Sequence, residues 1–249
     1  MDLGLAGSTV LVTGASKGIG LACAEGFAAE GCHLHLAARS TALLEEHAAR
    51  LRATYGVRVA VHATDLRTPG ATEALAATCA DIDILVNTAG DIPAGSITGV
   101  DETAWRHAWE LKVFGYINLS RAVLARMQAR GSGVVVNVIG MAGVTHPDGY
   151  ICGAVGNAAL DAFTKAAGKG SINHGVRVLG VHPGATLTDR IVALNKAMAR
   201  QRLGDESRWE ELLKGVRMQQ PRQVADTVVF LASSRSSHLS GVMLNLTPA

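Results

Sequence analysis

The first chemically suggestive segment of this 249-residue chain is the octapeptide Thr13-Gly14-Ala15-Ser16-Lys17-Gly18-Ile19-Gly20. A short apolar run, residues 9–13, leads into it, and a stretch of helical periodicity follows. Glycines at this junction permit a tight turn and let phosphates approach the backbone amides and the positive end of the helix. The chemistry suggested is the holding of a phosphorylated ligand. His33 and His35, two apart on a strand, project to one side and could pair as metal ligands. No Cys, Asp or Glu joins them locally, so an ordinary strand face and no metal are expected. Trp105 and Trp109 form an i,i+4 pair, the spacing of a packing seam. His182 reads as a strand-end packing residue.

The elements that position these groups alternate strictly. Strands are predicted over 9–13, 33–38, 58–63, 82–87, 133–139, 177–182 and 242–246. Helices are predicted over 18–30, 41–55, 68–80, 101–130, 157–174 and 221–233, with Pro69 as the first helical residue of the third. The charged stretch 189–218 looks helical and reads either as a substrate lid or as a solvated insertion. No repeat or linker divides the chain. The pattern implies a single α/β domain over 1–249, a doubly wound parallel sheet of about seven strands with helices on both faces. Ligands in such sheets bind at the carboxyl ends of the strands, where the strand order reverses.

Composition narrows the function classes. Hydrophobic residues make up 48% and charged residues 18%, which excludes disorder. A net charge of +2 gives no sign of a nucleic-acid or membrane partner. The first basic residue is Lys17, so no secretory signal is expected. The longest nearly uncharged run, 131–146, is interrupted by Asn137, Gly140 and Gly143 and is too short to span a bilayer. Cys23, Cys32, Cys79 and Cys152 never form a C-x-x-C pair, which suits free thiols in a reducing cytoplasm.

The octapeptide matches the T-G-x-x-x-G-x-G signature of the short-chain dehydrogenase/reductase family, which the chain resembles along nearly its whole length. Asn87-Thr88-Ala89-Gly90 resembles the family's N-x-A-G segment, and Pro183-Gly184 with Thr188 its P-G-x-x-x-T loop. The resemblance implies a Rossmann fold and a dinucleotide held by Gly14, Ser16, Lys17, Gly18 and Ile19. Asp65 and Leu66 would contact adenine, and Asn87, Ala89 and Gly90 would lie near the ribose. Pro183, Gly184, Thr186 and Thr188 would flank the nicotinamide. The second strand ends in Ala37-Ala38-Arg39-Ser40, with no carboxylate to chelate a ribose diol. Arg39 can grip a phosphate through paired donors, and Lys17 adds a cation. NADP is therefore expected in preference to NAD.

The family's Asn-Ser-Tyr-Lys tetrad falls here on Lys112, Gly140, Gly153 and Asn157. Three readings stay open. In the first, a rearranged site interconverts an alcohol and a carbonyl on a small apolar substrate by hydride transfer. Tyr150, three residues before Gly153, then donates the proton, and Lys112 supplies the missing ammonium. In the second, the chain binds the cofactor without turnover. In the third, it carries out lyase- or hydratase-like chemistry in which His146 and Asn157 are candidate polar groups. The resemblance also implies a homodimer or homotetramer through the central helices, to whose interface the tryptophan seam could belong. The ending Asn245-Leu246-Thr247-Pro248-Ala249 departs from the family's V-D-G-G.

Overall fold

The computed structural model describes residues 2–247; Pro248 and Ala249, part of that divergent ending, lie outside them. Seven strands form one sheet in the order β3-β2-β1-β4-β5-β6-β7, and every pair is parallel. They are β1 (Thr9–Thr13), β2 (His33–Ala38), β3 (Val59–Ala63), β4 (Ile84–Asn87), β5 (Gly133–Val138), β6 (Val176–Pro183) and β7 (Met243–Leu246). Every residue of β1, β4 and β6 is buried, because helices cover both faces. That is why β1 and β4 read as nearly unbroken apolar runs rather than alternating ones, whereas β6 also buries Arg177 and His182.

The helices are α1 (Gly18–Ala29), α2 (Thr41–Tyr55), α3 (Ala71–Thr78), α4 (Glu102–Trp109), α5 (Gly115–Arg130), α6 (Ala142–Thr145), α7 (Ile151–Ser171), α8 (Asp189–Leu203) and α9 (Pro221–Ala232). One apolar layer joins the sheet to α1, α2 and α9 through Phe27, Leu44, Leu51, Val228 and Leu231. The opposite layer packs Leu75, Leu119, Val123 and Met127 of α3 and α5 against Leu11, Leu85 and Val135. Each such large side chain contributes about 1.5–3 kcal/mol by leaving water. Arg177 is buried on β6 and donates to the carbonyls of Leu231, Ala232, Ser233 and Ser236, closing the C-terminal end of α9. No helix among the described residues is long and apolar enough to cross a membrane.

Four boundaries differ from the sequence expectation. Pro69 lies in a turn closed by Ala71 N–H on the Thr68 carbonyl, and α3 starts only after Gly70, whose φ is +79°. The helix expected over 101–130 contains a π-helical turn, Glu110–Phe114, that separates α4 from α5. There Gly115 N–H reaches back five residues to the Glu110 carbonyl. α7 begins at Ile151, six residues early, because packing overrides the poor helix propensity of Gly153 and Gly156. The 189–218 stretch is α-helical only to Leu203, where Gly204 at φ +72° stops it; a 3-10 helix, Glu206–Leu213, follows.

Candidate functional site

Between β1 and α1 the chain turns through Gly14 at φ +66°. A Cβ on Gly20 would strike the Gly14 carbonyl and lie 2.6 Å from Thr88 Oγ1, so only glycine lets the helix start this close to the turn. The Thr13 hydroxyl accepts from Thr88 N–H at 3.1 Å, and Thr88 Oγ1 donates to the Thr13 carbonyl. These bonds tie the glycine loop to the loop after β4. α1 carries no side-chain cap and no acidic residue in its first turn. Its first amides and its dipole therefore face the cleft ready for an anion.

The cleft opens at the carboxyl ends of β1 and β4, where the strand order reverses, and has a volume of about 590 Å³. Of the residues expected to hold a cofactor, Gly14, Ser16, Lys17, Gly18, Ile19, Arg39, Asp65, Leu66, Ala89, Gly90 and Thr188 line it. Asn87, Pro183, Gly184 and Thr186 are not among its lining residues. The Asn87 amide is buried and donates to Ser120 Oγ at 3.1 Å and Asn137 Oδ1 at 2.9 Å, joining β4 to α5 and β5. Pro183 ends β6, Gly184 N–H bonds to the Leu246 carbonyl, and the Thr186 hydroxyl lies between the Gly184 carbonyl and the Gln219 amide.

Thr88, Asp91, Leu111 and Arg190 line the cleft without having been expected there. For Asp91 the available signal was its place directly after Gly90. Its carboxylate lies 3.0 Å from Arg190, 3.9 Å from Arg39 and 3.9 Å from Arg67. Arg190 also donates to the Ile92 carbonyl at 2.6 Å, so the first turn of α8 is roped to the loop after β4.

The floor beneath Gly90 belongs to Lys112, at the centre of the π turn. Its Nζ donates to the carbonyls of Ile139 at 3.0 Å and Val138 at 3.2 Å, and stands 3.5 Å from Tyr116 Oη. Burial, and next the Arg190 charge, bring the Lys112 pKa down from 10.5 to about 7. Burial holds the Tyr116 phenol well above its ordinary range. Tyr150 precedes α7, and its ring fills the space in front of Gly153, where any Cβ would overlap it. Bonds from Gly95 N–H to the Gly149 carbonyl and from Ile151 N–H to the Gly95 carbonyl clip this segment in place. No hydrogen bond joins Lys112 to Tyr150 among the described residues; the ammonium meets Tyr116, one helical turn along, instead.

Gly140 sits at φ +138° at the end of β5, and its carbonyl accepts from Asn157 Nδ2 at 3.2 Å and from His182 at 2.9 Å. Asn157 Oδ1 is buried and has no hydrogen-bond partner among the described residues. His182 also meets Asp161 at 2.9 Å, and Asp161 pairs with Lys165 at 2.7 Å. Burial pushes the Asp161 carboxyl up, but the bonds from Lys165 and His182 outweigh it and hold the group below its usual range. The tryptophan seam is internal to the chain: Trp109 Nε1 donates to the Cys152 carbonyl at 3.2 Å and packs α4 on α7.

Residues 8–199 match the family model for short chain dehydrogenases. The L-tagatose-forming galactitol 2-dehydrogenase of Cereibacter sphaeroides is 32% identical over 242 residues, spanning 96% of this chain and 93% of the relative. The 3-oxoacyl-[acyl-carrier-protein] reductase of Vibrio cholerae is 31% identical over 250 residues, 98% of this chain and 97% of that one. The crystal structure of L-sorbose reductase from Gluconobacter frateurii, complexed with NADPH and L-sorbose, is 32% identical with a TM-score of 0.89. It covers 99% of this chain and 97% of its own. NAD+-bound xylitol dehydrogenase gives a TM-score of 0.90 at 25% identity, covering 98% and 99%.

Proposed function

The chain belongs to the short-chain dehydrogenase family, a family of NAD(P)-linked oxidoreductases, and from that premise we propose an NADPH-preferring enzyme with a rearranged proton-transfer site. The observation that carries this reading is the cleft: an uncapped α1, a cradle that a Cβ on Gly20 would fill, and Arg39 where no carboxylate stands. These features fit a dinucleotide bearing an extra phosphate on its adenosine ribose. Gly14, Ser16, Lys17, Gly18 and Ile19 would hold the pyrophosphate, Arg39 the ribose phosphate, and Asp65 and Leu66 the adenine. Ala89 and Gly90 would back the ribose, and Thr188 would face the nicotinamide side.

Bound there, the reduced cofactor supplies a hydride. Tyr150 gives a proton to the substrate oxygen, its ring standing on the ground that the family's own tyrosine would occupy. Lys112, half protonated near neutrality, places positive charge under Gly90. Asn157 Oδ1 is the free acceptor for a water or a substrate hydroxyl. α8, roped to Asp91 through Arg190, serves as the substrate lid. The assembly is a cytoplasmic homodimer or homotetramer acting on a small molecule.

The second reading, cofactor binding without turnover, is favoured by Gly140 and Asn157, which stand where the family carries Ser and Lys. Absorbance of NADPH with a panel of ketoses and 3-oxoacyl thioesters separates the two. Under the first reading NADPH is consumed, and Tyr150→Phe lowers the rate by about 10²–10⁴-fold. Saturable NADPH binding with no consumption across the panel supports the second. Turnover unchanged in both Tyr150→Phe and Lys112→Met removes the residue assignments.

A further inference from the structure

A second chemical cluster lies outside the cleft, on the face of the sheet that α3 covers. In β2 the side chains of Leu34 and Leu36 enter one core layer, so His35 points to the opposite face. The β2–β3 register pairs Ala37 with His62, which brings the two imidazoles together on that face. Their rings are stacked, with centroids 5.0 Å apart. Cys79, the residue that ends α3, comes down on both of them and is buried. None of the three lines the cleft.

The ligand atoms form a compact triangle. His35 Nδ1 is 2.8 Å from His62 Nε2, and Cys79 Sγ is 3.4 Å from the first and 3.5 Å from the second. The circle through three atoms so spaced has a radius of about 1.9 Å, shorter than zinc–nitrogen and zinc–sulfur bonds of about 2.0–2.3 Å. An ion set about 1 Å off the plane of the triangle therefore reaches all three atoms without moving any of them. From this geometry we propose that His35, His62 and Cys79 form a zinc site with one open position, clamping the β2–β3 edge to the end of α3.

The neighbouring groups suit this role. His35 Nδ1 and His62 Nε2, 2.8 Å apart, share one hydrogen in the metal-free protein; zinc takes its place, and the ring that gave it carries its hydrogen on the outer nitrogen instead. Asp81 Oδ1 lies 3.8 Å from His35 Nε2, the nitrogen that points away from the ion, where a carboxylate orients a ligating imidazole. Ligation as thiolate releases the Cys79 proton to solvent, so affinity rises with pH. A mixed imidazole–thiolate set selects a borderline-soft cation over magnesium or calcium.

The test is a titration of the full-length, metal-stripped protein with Co²⁺, read by the visible and thiolate charge-transfer absorption of tetrahedral cobalt, followed by displacement with Zn²⁺. One ion per chain is expected, bleached stoichiometrically by zinc. Cys79→Ser should abolish the charge-transfer band, and His62→Gln, on the half-buried edge strand, should weaken binding by at least about tenfold. His33→Gln should leave affinity unchanged. With zinc at a hundredfold over the wild-type Kd, the melting temperature should rise by about 5–10 °C in the wild type and by no more than about half of that in His62→Gln. The proposal is overturned by absence of the band in wild type, by its persistence in Cys79→Ser, or by undiminished affinity in His62→Gln. NADPH titration of the same samples reports separately on the cleft.

Discussion

Lys112→Met makes the buried ammonium measurable. In the native chain its pKa is about 7, whereas the unfolded chain leaves the amine near its ordinary value of 10.5. Between those values the unfolded state holds more protons than the native state, so this group makes stability climb with pH. At about 1.4 kcal/mol per pKa unit, the full cost of burying the charge is about 4–5 kcal/mol below pH 7, shrinking to under about 1 kcal/mol by pH 10. Methionine removes that cost and fills similar volume. It also takes the Nζ donor away from the Ile139 carbonyl, while the Val138 carbonyl keeps the Tyr116 hydroxyl at 3.0 Å. One orphaned buried acceptor costs about 1–3 kcal/mol, at any pH. The variant should therefore be more stable than wild type by about 2–3 kcal/mol near pH 6 and less stable by about 1–2 kcal/mol near pH 10. Urea unfolding followed by circular dichroism at several pH values gives both curves. Their difference isolates Lys112, because the thiols of Cys23 and Cys32, both pushed up to about 12, titrate alike in the two proteins. A pH-independent difference would refute the reasoning, since it would mean that Lys112 titrates alike folded and unfolded.

Three further outcomes follow from contacts already described. Arg39→Glu should raise the Kd for NADPH by about 10–100-fold while leaving NADH binding unchanged or tighter; equal losses for both cofactors would remove Arg39 from the ribose phosphate. Arg177→Leu strips donors from four carbonyls at and just past the C-terminal end of α9 and should cost about 3–4 kcal/mol, lowering the melting temperature by about 10 °C. Thermal unfolding showing a loss of only a degree or two would end that account. Phe114 and Val155 are 43% and 44% exposed on the π turn and α7; in the proposed homo-oligomer through the central helices, Phe114→Asp should lower the molar mass seen by light scattering to that of one chain, and a monomeric wild type would dispose of that assembly.

The parts legible in the sequence are those whose cause is local. β1 and β2 are legible to the residue: β1 is a buried, mainly apolar run stopped by a glycine turn, and β2, in which buried leucines alternate with half-buried histidines, is stopped by Ser40, the N-cap residue of α2. The phosphate cradle was legible for the same reason, since the spacing of Gly14, Gly18 and Gly20 is itself the geometry. What escaped depends on residues far apart in the chain. The π turn has no marker in residues 110–114, and it is visible only in the bond from Gly115 to Glu110 and in what it delivers, Lys112 against the carbonyls that end β5. The metal cluster escaped in the same way. His35 was considered with His33, its neighbour in sequence, when its partners stand 27 and 44 positions away and arrive through the β2–β3 register and the end of α3. Alternation along a strand says which face His35 takes, and the register then says which residue of the next strand shares it. The pairing of Ala37 with His62 thus puts His62 on the face that His35 takes. Cys79 has no such signal, because the fall of a helix end onto a sheet is set by packing of Leu75 and Ala76 rather than by any pattern in the chain. The same distinction bears on Tyr150: its place in sequence, three residues short of the expected position, makes it a candidate for the proton, and its ring, lying across Gly153, supports that reading.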